Sequence, residues 1–194
     1  MKNRVAFALA ALVVATPGLS RGEDLSVQGK AQTCFACHGP EGRSGTPEVP
    51  SIAGQPREFV VRQLHLFHDG VRVDAQMAPV TSTLSDKDIE ELADYIAKLP
   101  PAAPEKPADP TITAAAKPLI EAGKCTACHG DTLAGQAQAP RLAAQQRAYL
   151  DWQLRAYRDG DRADPDQQMI GVVKSLSNKD IRALAEYVSR LDGR

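Results

Sequence analysis

The chain has 194 residues, of which 24% are charged, and a formal net charge of −1. That length suits one or two domains. The near-neutral balance excludes the strongly basic profile of a nucleic-acid binder, so no nucleic-acid partner is expected.

Residues 1–22 read as a secretory signal peptide. Lys2 and Arg4 form a short positive region, and Val5 to Ala15 is an uncharged apolar run. Thr16-Pro17-Gly18 ends that run, and Ser20-Arg21-Gly22 offers small residues for a cleavage site. Eleven apolar residues are too few for a bilayer span, which takes roughly 20. Cleavage would remove Lys2, Arg4 and Arg21 and no acid, taking the net charge from −1 to −4. The mature chain is expected in the periplasm, with no transmembrane segment. Peripheral membrane association is compatible with it.

The first domain is expected over residues 23–99. It opens on Cys34-Phe-Ala-Cys37-His38-Gly39. Cys-x-x-Cys-His is the signature of covalent c-type haem attachment. Two thiols at i and i+3 share one side of a helical turn, where they can add to the two vinyl groups of a haem. The next residue, His38, is then carried under the iron as its proximal ligand. Pro50 follows twelve residues later, and its carbonyl can accept a bond from the second ring nitrogen of His38. Such a bond fixes the tautomer and makes the ligand more basic.

A helix is predicted next. Pro56 suits its first turn, Phe59, Val60, Gln63, Leu64 and Phe67 recur at helical spacing, and Gly70 is a stop. Met77 lies 39 residues after His38. A thioether opposite histidine belongs to electron-carrier cytochromes and raises the potential. His65 and His68 are rival ligands, but their counterparts Arg155 and Arg158 cannot ligate. A final helix is predicted from Ser85 as N-cap, with Asp88 three residues on. Its apolar stripe is Ile89, Leu92, Ala93 and Ile96.

Residues 100–118 are expected to form a Pro/Ala-rich linker. Five prolines in residues 100–110 favour an extended, semi-rigid spacer.

Residues 119–194 then repeat the first domain at an offset of 90 to 92. Cys125-Thr-Ala-Cys128-His129-Gly130 matches the first motif, Pro140 matches Pro50, and Gln145 matches Gln55. Gln153-Leu154 faces Gln63-Leu64, and Met169 lies 40 residues after His129. Ser177, Asp180, Ile181, Leu184, Ala185 and Val188 repeat the last helix. A register held that long marks a structural repeat. The fold class is therefore all-α, in two tandem domains that each carry one c-type haem-attachment motif. No alternating run suggests a sheet.

Other readings of the cysteines explain less. A redox disulfide does not need a histidine after the second cysteine, and both motifs have one. Zinc sites usually place their two pairs about 15–20 residues apart, whereas most of a domain separates these. Only 5% of the chain is aromatic, so a bound apolar group would help to fill so small a core. The expected sites are Cys34, Cys37, Cys125 and Cys128 for covalent attachment of two haem c groups. His38, Met77, His129 and Met169 are the expected axial iron ligands, with Pro50 and Pro140 behind the histidines.

These residues resemble the class I cytochrome c fold and, over the whole mature chain, the dihaem cytochrome c4 family. The resemblance rests on the two Cys-x-x-Cys-His-Gly motifs, on Pro50-x-x-Ala53-Gly-Gln55, and on Gln76-Met-Ala-Pro79 before Leu84-Ser-Asp-Lys-Asp-Ile89. It implies two helical domains facing each other, with haem propionates near their contact. It also implies electron transfer between a quinol-oxidising membrane complex and a terminal oxidase or other acceptor, without catalysis by the chain itself. A cytochrome subunit of a periplasmic dehydrogenase complex would use the same residues. The second half departs from the pattern where Met77-Ala-Pro79 becomes Met169-Ile-Gly171. The lost proline predicts a less rigid second Met loop. Residues 24–99 carry seven basic and eleven acidic side chains, and residues 119–194 carry eleven and ten. The two ends are therefore expected to differ in potential, which steers encounters with charged partners.

Overall fold

A computed structural model describes residues 26–104 and 106–194. The expected signal peptide lies outside the described residues. Among those described, the structure is helical without a named strand, and one isolated bridge joins Gln136 and Ala139. The first half contains α1 (Val27–His38), α2 (Arg57–His68), α3 (Met77–Thr81) and α4 (Asp86–Lys98). The second contains α5 (Pro110–Ala122), α6 (Cys125–His129), α7 (Arg147–Asp159), α8 (Gln168–Val173) and α9 (Asn178–Val188).

The last helix of each half is the centre of its core. α4 packs against α1 and α2, while α9 packs against α5 and α7. The predicted stripes are the buried faces. Ile89, Leu92, Ala93 and Ile96 are buried in α4, and Ile181, Leu184, Ala185 and Val188 in α9. Burial of each large aliphatic side chain contributes roughly 1.5–3 kcal/mol. Both helices start at a full capping box. The Ser85 hydroxyl accepts from the Asp88 N–H while Asp88 accepts from the Ser85 N–H, and Ser177 with Asp180 does the same. Lys30 on α1 adds an ion pair to Asp88 at 2.6 Å, tying the first helix to the last.

α2 begins at Arg57, with Pro56 one position earlier than expected, as the cap. The linker is shorter than the expected 100–118. Asp109 accepts the Thr111 N–H, and Pro110 occupies the first helical position, so α5 starts there. A proline at that position loses no helical bond, which makes Pro110 part of a helix start rather than of the spacer. Pro118 lies inside the same helix, and the run Ala114-Ala115-Ala116 sustains it. The first half carries its cysteines on one continuous α1. The second half breaks between α5 and α6, where Lys124 is left-handed (φ 49°).

The halves meet through a reciprocal pair of glutamines. The Gln55 amide donates to the Arg141 carbonyl at 3.0 Å and accepts the Arg141 N–H at 3.0 Å. Gln145 donates to the Ser51 carbonyl at 2.8 Å and accepts the Ser51 N–H at 2.7 Å. All four residues are buried. Gln55 and Gln145 are repeat equivalents, as are Ser51 and Arg141, so the contact has approximate two-fold symmetry. The Tyr149 N–H donates to the Pro47 carbonyl at 3.1 Å, and Arg62 forms an ion pair with Asp166 at 2.6 Å across the same boundary.

Candidate haem sites

Each attachment motif is helical. Cys34 and Cys37 lie in the last turns of α1, and Cys125 and Cys128 form most of α6. The first cysteine of each pair is half-buried and the second exposed, and none of the four is in a disulfide. Burial raises the Cys34 and Cys125 thiols above their ordinary pKa.

The histidines that end these helices are buried and equivalently held. Nδ1 of His38 donates to the Pro50 carbonyl at 2.7 Å, and Nδ1 of His129 donates to the Pro140 carbonyl at 2.8 Å. A carbonyl can only accept, so Nδ1 carries the proton and Nε2 keeps its lone pair. Burial lowers the pKa of both imidazoles, although the proline carbonyls act in the opposite direction. A neutral imidazole with its tautomer fixed is the form that binds iron.

Gly39 and Gly130 follow these histidines in left-handed backbone, with φ of +79° and +80°. A Cβ at position 39 would overlap the Arg43 carbonyl oxygen, while one at position 130 would meet open space. With ψ of 171° and 159°, this backbone is nearly reserved for glycine and costs a residue with a side chain roughly 1–3 kcal/mol. Gly39→Ala is therefore expected to lower unfolding stability by clearly more than Gly130→Ala, which adds only the backbone term. Chemical denaturation of both variants checks the order, and equal losses would contradict it.

Met77 opens α3, and Met169 is the second residue of α8. Both are half-buried. The loops that present them are pinned by aspartates that motif reasoning missed. Oδ1 of Asp74 accepts the N–H groups of Gln76 and Met77, both at 2.9 Å. Oδ2 of Asp164 accepts the Ile170 N–H at 3.0 Å. An aspartate shortly before a short helix is a local cue to such a turn. The buried Thr81 hydroxyl donates to the Met77 carbonyl at 3.0 Å. Its place in the second half is taken by buried Val173, which has no such donor. His65 and His68 lie at the end of α2, and exposed His68 pairs with Asp69 at 3.0 Å.

Four unpaired thiols, two neutral imidazoles with free Nε2 and two thioethers form a donor set that fits two haems. The fold and these sites define tandem c-type cytochrome domains. Residues 113–192 match the family profile "Cytochrome c", and residues 21–96 match "Cytochrome C oxidase, cbb3-type, subunit III". The chain is 35% identical over 181 residues to cytochrome c4 of Pseudomonas aeruginosa, an alignment covering 88% of this chain and 89% of that protein. It is 34% identical to the thiosulfate dehydrogenase electron acceptor of Thiomonas intermedia, covering 82% of this chain and 79% of the relative. The crystal structure of reduced recombinant cytochrome c4 from Pseudomonas stutzeri superposes with a TM-score of 0.79 at 34% identity, covering 85% of this chain and 96% of that one. The chain belongs to the dihaem cytochrome c4 family. It is a c-type cytochrome that carries electrons on two covalently bound haem c groups.

Proposed function

We propose that this chain is a periplasmic electron shuttle with both irons closed by histidine and methionine. Cys34 and Cys37 would hold the first haem through thioether bonds, with His38 and Met77 as the ligands to its iron. Cys125, Cys128, His129 and Met169 serve the second. The haem supplies a reversible one-electron change at iron. The protein keeps the donor set constant through that change. The Pro50 and Pro140 carbonyls hold the imidazole tautomers, and Asp74 and Asp164 anchor the methionine loops. Two ligand sets of the same kind leave no place for a substrate at either iron, so the chain itself is not an enzyme.

The observation that carries this reading is the matched pair of buried histidines, each with Nδ1 committed to a proline carbonyl at 2.7–2.8 Å. The sequence of residues 1–22 supports secretion. Among the described residues, no helix is long and apolar enough to cross a membrane. The partners are redox proteins: a quinol-oxidising complex as donor, and a terminal oxidase or similar acceptor. The charge difference between the halves supports two distinct docking ends.

An absorption spectrum tests the ligands. The oxidised protein is expected to show a methionine-to-iron charge-transfer band, and the reduced protein to exclude carbon monoxide. Met77→Ala should then bind carbon monoxide at one haem of the two. Rapid stoichiometric binding by the unaltered protein would contradict a closed shuttle.

A second reading is supported by similarity to the thiosulfate dehydrogenase electron acceptor. On that reading the chain takes electrons directly from a periplasmic dehydrogenase. Stable co-purification with a catalytic subunit distinguishes it from a free shuttle.

A further inference from the structure

The two methionine loops run between equivalent glycines and equivalent serines, yet they are built differently. Met77 follows Gly70 by seven positions, and Met169 follows Gly160 by nine. In the shorter loop the methionine itself is anchored on both sides. Asp74 accepts its N–H at 2.9 Å, and its carbonyl accepts the Thr81 hydroxyl at 3.0 Å. The next two residues continue the stitching, Ser82 donating to the Pro79 carbonyl at 3.1 Å and Thr83 to the Val80 carbonyl at 2.9 Å. Pro79 fixes one backbone angle within the loop. Gln76, just before Met77, has relaxed helical backbone (φ −92°, ψ −39°).

The longer loop lacks these anchors. Val173, Lys174 and Ser175 take the places of Thr81, Ser82 and Thr83. Among the described residues none of their side chains bonds to the loop, and the Met169 N–H has no acceptor. Asp164 holds the Ile170 N–H instead, one residue past the methionine. Gly171 stands where Pro79 does. Gln167, two residues before Met169, is left-handed at φ 53°, a region that residues with a side chain rarely occupy. A segment with fewer hydrogen bonds and strained backbone opens at lower free energy.

We infer that Met77 is a fixed ligand and Met169 a displaceable one, so that the oxidised second domain can take up a small nitrogen base in place of Met169. The inference rests on the ligation proposed above, with both irons closed at rest. Thioether sulfur is a soft donor, and imidazole-type nitrogen is the better match for oxidised iron. In the exchange the iron–sulfur bond breaks, and the lone pair of the incoming nitrogen forms the new bond. The thioether stays on the chain, no proton moves, and the iron keeps its oxidation state. Opening the first loop breaks bonds at Met77 that Met169 does not have. Two hydrogen bonds of ordinary net strength correspond to roughly tenfold in an equilibrium constant. Methionine ligation raises the potential, so uptake of the base lowers it at the second haem and leaves the first as it was. The second haem then becomes the weaker electron acceptor.

The test uses oxidised holoprotein whose two haems are first counted by mass. Absence of the methionine-to-iron band at either haem before any base is added would overturn the proposed ligation, and the inference with it. Titration with imidazole is expected to remove the band in two equal steps, the first at roughly tenfold lower concentration than the second. Val173→Thr supplies the hydroxyl that Thr81 has, and Gly171→Ala stiffens the backbone where a Cβ meets nothing within 4 Å. Both variants are expected to raise the concentration needed for the first step and to leave the second alone. Thr81→Val is expected to lower the concentration for the second step by roughly fivefold. Thr81→Ser keeps the hydroxyl and should keep the original value. Redox titration in imidazole should show one midpoint lowered and the other constant. A single step, no uptake at saturating imidazole, two lowered midpoints, or Val173 and Gly171 variants that move the second step would each overturn the inference. If Val173→Thr fails to fold, Gly171→Ala and the two Thr81 variants decide between these outcomes.

Discussion

A chain in which Cys34 and Cys37 are both replaced by serine is expected to carry one covalent haem instead of two. Thioether bonds require thiols, and the four cysteines of the chain are divided between two motifs. The second motif sits on its own short helix in the other half, so its attachment should proceed unaffected. Mass spectrometry of the denatured protein is expected to show a loss equal to one haem, and the absorbance per polypeptide should halve. The reciprocal change at Cys125 and Cys128 should give the same mass with the other haem retained. Two haems still attached after either change would remove the assignment of that motif. His38→Ala makes a finer test, since the thioethers survive while the proximal ligand is lost. The mass should then be that of two haems with a single substitution, and the spectrum of one haem should be altered.

Replacing both Gln55 and Gln145 by alanine is expected to release the two domains from each other. Four buried hydrogen bonds disappear, each worth about 1 kcal/mol net. The Ser51 and Arg141 backbone groups left behind are buried, and each unpaired group costs about 1–3 kcal/mol until water reaches it. The expected loss of interdomain free energy is at least about 4 kcal/mol. Each single variant breaks two of the four bonds and should lose about half of it. X-ray scattering of the double variant should show a larger radius of gyration, and calorimetry should resolve two unfolding transitions. An unchanged radius with one cooperative transition would mean that the glutamines do not hold the interface.

Much of the fold can be read from local signals. The stripes Ile89-Leu92-Ala93-Ile96 and Ile181-Leu184-Ala185-Val188 are the buried faces of α4 and α9 because spacing along a helix decides which side chains point inward. Ser85 with Asp88 and Ser177 with Asp180 cap those helices because a capping box involves only four consecutive residues. The bonds from His38 to Pro50 and from His129 to Pro140 are those expected on the proposed ligation, since a metal-binding imidazole calls for an acceptor behind it. Other features depend on context beyond the motif. Asp74 and Asp164 look like ordinary loop acids until the short helices α3 and α8 are placed after them. Prolines 107, 110 and 118 all favour an extended spacer by composition, yet Asp109 as a cap turns the last two into parts of α5. The repeat makes Gln55 equivalent to Gln145, but equivalence does not reveal that each contacts the opposite domain. That contact exists only once both halves are folded and docked.

The two-fold exchange of glutamine bonds gives the molecule the anatomy of a symmetric dimer whose subunits share one chain. In such an interface one patch meets its own copy, and residue pairs occur twice. The covalent connection through residues 100–109 changes what that patch must achieve. Tethered partners meet at an effective concentration on the order of millimolar, so a contact too weak to hold free subunits together is sufficient here. Fusion also removes the requirement that both copies stay identical. Separate subunits with one sequence would carry the same charge, whereas the fused halves have become acidic at one end and near neutral at the other. A single polypeptide can thus keep a self-complementary seam while its outer faces diverge toward unlike neighbours.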